Sequence, residues 1–474
     1  MAPPPRRRDS PQELPDELIV EIFLRFPLDE PSCLLRASLV SRRLYRAVSD
    51  PFFRQRLHEL HRTPPALGFL HNRDDEDIPR FVHSTASAFP LAAPDDHPSW
   101  EVVVDCRHGR ALFLIHYQVA RELLIWEPIT GAQHRVPVPA AFENLCPTAA
   151  VFCPVEGCSH YNCIGGPFRV VFVFAVDDND EAKFFTSASV YSSETGTWGE
   201  VTRILNRAVC FSSPYRSSVL VWRSLFYFMA DGSDILEYDL DSHALARLES
   251  PDPYTDTFSL MVAEDGGLGV CKVSDPQQLK LWSWQESDDD DTDGQWVLSR
   301  VIYLGNLLPN GALPLSSLSK RVLFFAEVAN VIFVTTDDGV FTIELQSERA
   351  KKVCDHHFWC LVPVVSFYTP LRLLNLSEEA GGEEGGVKEE KTVERAHQLF
   401  GKGTNAVKEG DFDHSFINHD LKTRSVSNEE SVMGTSSKDD AGNSKISGSN
   451  IMDAASPSEK GDSEEVSGGS CGIR

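Results

Sequence analysis

Between about residues 64 and 375 the chain repeats one loose unit: an apolar strand, a turn, a strand bearing an aromatic residue, then an acidic or Ser/Thr/Gly turn. The clearest copies are Leu124-Ile125-Trp126-Glu127-Pro128-Ile129-Thr130-Gly131, Val190-Tyr191-Ser192-Ser193-Glu194-Thr195-Gly196 and Leu236-Glu237-Tyr238-Asp239-Leu240-Asp241-Ser242, with weaker ones around Trp284 and Phe341. Short β-rich runs broken by Gly, Asp, Ser and Pro, with almost no helical periodicity, read as an all-β domain. The anchors at 126, 191, 238, 284 and 341 are 215 residues apart over four steps, a mean of ~54, close to the ~50 of kelch-type propeller blades. The expected fold is a β-propeller of about six blades. Five or seven stay open because two intervals are long, and a pair of β-sandwiches is the alternative. A propeller must seal its ring, and Val364-Val365-Ser366-Phe367 is the last β-like run able to pair with an early strand near Leu67 to Leu70.

The first 63 residues read differently. Pro15 suits a helix start, and Asp16 and Glu17 put negative charge at the positive end of the dipole. Leu18, Ile22 and Phe26 recur at four-residue spacing beside Ile19 and Phe23, giving a wide apolar stripe that Pro27 should end. Pro31-Ser32 restarts the chain; Leu35 and Leu39 share one face, and Val40, Leu44 and Val48 another. Asp50-Pro51 then breaks the run before Phe52, Phe53 and Leu57. The pattern predicts three short helices with more apolar surface than they can bury alone, serving either as a cap on the following domain or as a docking module.

The run Leu14-Pro15-Asp16-Glu17-Leu18 through Pro27, followed by Leu34-Leu35-Arg36-Ala37-Ser38-Leu39-Val40-Ser41-Arg42-Arg43-Leu44, resembles the F-box in order and spacing. That resemblance implies docking onto a Skp-type adaptor of a cullin ubiquitin ligase. It also implies adaptor contacts at Leu14, Pro15, Leu18, Ile22, Pro27, Leu34, Ala37, Val40 and Leu44. Leu44 stands where the family usually has tryptophan, which keeps an apolar anchor but removes aromatic area. Downstream, Phe152-Cys153 through Gly157-Cys158-Ser159-His160 to Cys163-Ile164-Gly165-Gly166-Pro167-Phe168 is similar to the F-box-associated propeller of large plant families, and Pro65-Ala66-Leu67-Gly68-Phe69-Leu70-His71-Asn72 to its grass members.

Composition limits the partners. The formal charge is −26, yet residues 1–63 hold 11 Lys/Arg against 9 Asp/Glu, so the acidity lies downstream and nucleic acid is an unsuitable partner. No apolar run approaches the ~20 residues that cross a bilayer, and Arg6-Arg7-Arg8 is not followed by a signal-peptide core. The expected location is cytoplasmic and/or nuclear, without membrane contact. Eleven scattered cysteines fit reduced thiols rather than disulfides.

Cys146, Cys153, Cys158, His160 and Cys163 could supply four zinc ligands. Their spacing offers only Cys158-x-His160-x-x-Cys163 instead of paired Cys-x(2–4)-Cys knuckles, so the expectation is a packed loop, no metal and no cofactor. Cys354 to Cys360 reads as the final blade strand, and Asp288 to Asp291 as a solvated turn. No Gly-x-Ser-x-Gly elbow, phosphate-cradling glycine loop or His-Glu-x-x-His pair occurs, so no enzyme is expected.

After residue 375 apolar runs vanish, and a largely disordered acidic tail is expected over 376–474. Within it, Val393 to Phe412 resembles the first helix of a tetratricopeptide repeat in histone-binding proteins related to nuclear autoantigenic sperm protein, with a possible helix over 393–410 but no companion helix. The resulting division is a disordered start over 1–12, an F-box over 13–63, a propeller over 64–375 and the tail. The resemblances together imply an adaptor-binding, target-presenting subunit of a Skp-cullin-F-box ligase, with an F-box/propeller interaction protein acting outside a ligase as the alternative. The target is not legible from the residues.

Overall fold

In the computed structural model the described residues are 14–72, 81–84, 102–115, 122–143, 145–158, 160, 163–178, 183–205, 211, 218–231, 234–252, 258–274, 277–286, 294–309, 321–358 and 360–369; at 145, 146, 177, 178, 183, 184, 205 and 321 only the backbone is described. The Asp288–Asp291 run, the tail and its 393–410 helix fall outside them, as does the Cys146 side chain.

Among the described residues four helices come first: α1 (Asp16–Phe23), α2 (Pro31–Leu39), α3 (Arg42–Ser49) and α4 (Pro51–His61). Pro15 stands just outside α1, its carbonyl accepting from the Leu18 and Ile19 amides. α1 stops at Phe23, ahead of Pro27 rather than at it. Four helices form instead of the expected three because the stretch after Pro31 divides at Ser41, whose Oγ accepts from the Leu44 amide at 3.2 Å as an N-cap. Asp50 caps α4 in the same way, with Phe52 donating at 2.8 Å and Pro51 in the first turn. Ile19, Phe23, Leu24, Leu34, Val48, Phe53 and Leu57 form the helical core.

The strands that follow form six antiparallel sheets arranged as blades. Blade one is β3 (Val102–Arg107), β4 (Arg110–Ile115), β5 (Glu122–Trp126) and β6 (Gln133–Pro137). Blade two is β7 (Leu145–Phe152), β8 (Arg169–Asp178) and β9 (Lys183–Ser192), with an outer edge split into β10 (Thr197–Trp198) and β11 (Thr202–Leu205), both paired to β9. Blade three is β12 (Ser218–Val221), β13 (Leu225–Met229), β14 (Asp234–Asp239) and β15 (Leu245–Glu249). Blade four is β16 (Ser259–Val262), β17 (Leu268–Ser274), β18 (Gln278–Gln285) and β19 (Gln295–Tyr303). Blade five is β20 (Arg321–Ala326), β21 (Val331–Thr336), β22 (Gly339–Glu344) and β23 (Arg349–Cys354). All five aromatic anchors fall on the third strand of their blade: Trp126 on β5, Tyr191 on β9, Tyr238 on β14, Trp284 on β18 and Phe341 on β22.

Blade six joins the two ends of the domain. β24 (Leu361–Val365) is its inner strand and touches β3 and β20, the inner strands of its neighbours. β1 (Ala66–His71) pairs with β24 in the register Gly68↔Val364 to His71↔Leu361, and β2 (Phe81–His83) lies outside it. The anticipated closure is therefore present, although the closing strand begins at Leu361. β23 ends at Cys354, and 355–358 and 360 lie outside any strand, so the expected strand from Cys354 to Cys360 is corrected. Gly68 is needed in β1 because a β-carbon there would collide with the Val82 carbonyl and the Phe81 ring. Apolar clusters fill the seams between successive blades, as where Leu112, Leu123, Val151 and Phe172 pack together from blades one and two.

The helices rest on the ring. Leu35 packs against Leu67 of β1, with Ile129 and Tyr368 alongside. His58 meets Phe367 edge to face, centroids 5.6 Å apart. In an antiparallel blade the first-to-second and third-to-fourth connections lie at one end. Ile129 and Val328 belong to such connections, so α4 and these residues share that end of the propeller.

Candidate functional site

The α1 stripe divides in two. Ile19 and Phe23 turn inward, while Leu18 and Ile22 remain 49% and 47% exposed. Leu14, which precedes α1, is likewise 50% exposed. Arg43 of α3 holds it by donating to the Leu14 carbonyl and, at 2.6 Å, to Asp16 Oδ1. Val40, at the α2–α3 corner, is 75% exposed. Pro15 and Pro27 are also exposed. Of the remaining residues singled out from sequence, Leu34 is buried in the helical core, and Ala37 and Leu44 pack half-buried against it. Phe52 of α4, named with Phe53 and Leu57 from the sequence, faces outward, as does Leu60, which the sequence pattern did not single out.

Electrostatics brace this face. Glu21 of α1 accepts from Arg25 at 2.7 Å and from Arg56 of α4, and these guanidiniums hold its carboxyl below the ordinary range. α1 is thereby tied to α4 with the Leu18 and Ile22 side chains left outward.

At the helix-facing end of the propeller, residues far apart in sequence converge. Arg107, at the end of β3, is buried and bonds Asp105 at 2.5 Å, Glu327 of blade five at 2.7 Å and Ser218 Oγ of blade three at 3.0 Å. Asp105 also accepts from the Val151 amide of blade two at 2.8 Å. The guanidinium thus links blades one, three and five, with both carboxylates as its counter-ions, and Asp105 extends the network to blade two.

The connection 153–168, between β7 and β8, lies beside it. Arg110 donates to Gly166 O at 2.8 Å and to Cys163 O, while Glu127 accepts from the Gly165 amide at 2.9 Å. The Cys153 amide donates to His108 Nδ1 at 3.1 Å, and the His108 ring stacks on His160 with centroids 3.7 Å apart. Burial, then the nearby His160 and the arginines, push the His108 pKa down to about 2. Within this connection the ligand atoms of Cys153, Cys158, His160 and Cys163 all lie within 4.8 Å of one another. Sequence spacing had favoured an unligated packed loop. Sequence spacing does not register the cluster because Gly157 and His160 adopt left-handed φ of 67° and 61°, which turn the chain back between its Cys and His residues.

Helices with an outward apolar row, joined to a closed six-bladed ring, define a small helical module on a β-propeller. Comparison with known families agrees: residues 11–59 match the F-box-like domain, and 102–371 match the family described as F-box protein AT5G49610-like, beta-propeller. The second match spans more than half of the chain, and the protein belongs to this AT5G49610-like F-box propeller family. No curated protein matched. Among solved structures the chain is similar to virginiamycin B lyase from Staphylococcus aureus (11% identity, covering 56% of this chain and 71% of that one, TM-score 0.30). It is also similar to a streptogramin B lyase (10%, 56% and 70%, TM-score 0.26) and to the Cps50 (Swd1) propeller domain of Myceliophteria thermophila (9%, 53% and 71%, TM-score 0.28). Likeness of that degree assigns no activity or partner to this chain.

Proposed function

We propose that this protein is the substrate-recognition subunit of a Skp-cullin-F-box ubiquitin ligase. Its helices take the adaptor, and through it the cullin; its propeller takes the protein to be modified. The observation that carries this reading is the set of outward apolar residues Leu14, Leu18 and Ile22, each left about half exposed, with Val40 at the α2–α3 corner exposed as well. Isolated apolar residues are common on surfaces, but a helical row of them at the edge of a small domain marks a docking face. The role is non-catalytic: ubiquitin transfer falls to the conjugating enzyme that the cullin recruits. Because the helices occupy one end of the ring, the opposite end, carrying the second-to-third connections such as 337–338, is the free surface for a target.

Reconstitution tests this reading. The full chain should co-purify stoichiometrically with a Skp-type adaptor and cullin, and a target captured by its propeller should acquire ubiquitin only when all subunits are present. Binding of the adaptor without recruitment of cullin would favour an interaction protein acting outside a ligase. Failure to bind any Skp-type adaptor would reject the proposal.

A further inference from the structure

We propose that Cys153, Cys158, His160 and Cys163 form a structural zinc site. A four-coordinate zinc with Zn–S of about 2.3 Å and Zn–N of about 2.0–2.1 Å separates its ligands by about 3.5–3.8 Å. Here Cys158 Sγ is 3.2 Å from Cys163 Sγ, His160 Nδ1 is 3.3 Å from Cys163 Sγ, and the whole set lies within 4.8 Å. Changes of up to about one ångström in these separations would bring the four atoms to the tetrahedral edge length. Three thiolates and one imidazole are the donor set that soft tetrahedral zinc sites use, and four protein ligands leave no open position for catalysis.

The surroundings fit an ion with three thiolates, a unit of net charge about −1. The His160 amide donates to Cys158 Sγ at 3.4 Å. Arg223 approaches from blade three, donating to the carbonyls of Cys158 and Val155 at 3.4 and 3.2 Å. Arg110 grips the Cys163 carbonyl from blade one, and its Nη1 is buried without a hydrogen-bond partner. The His108 ring fixes the plane of His160 by stacking. These contacts orient the ligands in the way outer-shell groups do at metal sites. Binding would form three Zn–S bonds and one Zn–N bond, and the three thiols would release their protons to solvent.

The site would anchor a connection far longer than the two to five residues usual for a hairpin. His160 borders a cavity also lined by Arg54 and His58 of α4, so the zinc would stiffen the propeller surface beneath the helices.

The test is metal analysis of the full chain, purified under reducing conditions with any affinity tag removed. The wild-type chain should hold about one zinc, and Cys158→Ser/Cys163→Ser less than about one fifth of that, while Cys33→Ser should match wild type. Loading wild-type chain with Co²⁺ gives a second readout, needed if the double variant fails to fold. Tetrahedral d–d bands and a thiolate-to-cobalt charge-transfer band should appear and be lost on adding excess zinc. Folded wild-type chain that holds little zinc and gives no such bands would overturn the site. So would a folded double variant with undiminished zinc, or a Cys158–Cys163 disulfide persisting in the reduced chain.

Discussion

Arg107 shows how far one side chain can be committed to an architecture. Its carboxylate partners, Asp105 and Glu327, come from blades one and five. Removing one member of a buried ion network leaves the others uncompensated, at about 3–5 kcal/mol. Arg107→Ala is therefore expected to lower unfolding free energy by that amount in urea titrations. Arg135→Ala, which breaks a 3.0 Å pair with Glu122 on an exposed edge, should change it by less than about 1 kcal/mol. Glu21 makes a prediction in pH. Arg25 and Arg56 depress its carboxyl pKa in the folded state, so the contribution is present at neutral pH and lost as acid protonates it. Melting temperatures of wild type and Glu21→Gln should thus differ near neutrality and converge as pH falls below the ordinary carboxylate range. None of the Arg107 network was legible in the sequence, because positions 105, 107, 218 and 327 meet only after the ring has formed. The Cys/His cluster at 153–163 was half legible. Its residue types were visible, but the left-handed turns that gather them were not.

At the scale of elements the pattern was far more readable. The five aromatic anchors fall on equivalent third strands because each blade must bury one face against the next, and that requirement imposes its period on the residues. The helical boundaries were less legible. Ser41 was read as one residue in a continuing run, whereas its hydroxyl caps α3 and splits that run. Leu34, an adaptor contact by the F-box resemblance, is instead buried, because it packs in the helical core with residues of α1, α3 and α4. The closing strand gives the sharpest prediction here. β24 is the inner strand of blade six and contacts both adjacent inner strands, so a chain ending at Lys352 lacks the strand that joins blades five, six and one. It should be insoluble or lose its cooperative thermal transition, since β1, β3 and β20 would present unpaired edges or bare apolar faces. A chain ending at Asn375 should melt within a few degrees of the full chain by calorimetry. Equal solubility and stability of the two truncations would contradict a ring closed through β24.

In the whole molecule, the helices use one surface to sit on blade six and another to meet solvent. The inner surface, with Leu35 against Leu67, makes them a cap; the outer row on α1 leaves them a docking module. The cap reading of the N-terminal pattern is thus observed on one surface of this small domain, and the proposed docking row lies on another. The central claim is that the outer row binds a Skp-type adaptor, and its most direct test is the affinity of purified adaptor for the full chain and for Leu18→Asp/Ile22→Asp. Both residues are about half exposed, so the substitutions should leave the melting temperature unchanged. Each side chain would lose roughly 1 kcal/mol of apolar burial at the interface, so binding should weaken by at least about 30-fold. Undiminished affinity in a folded double variant would contradict the account.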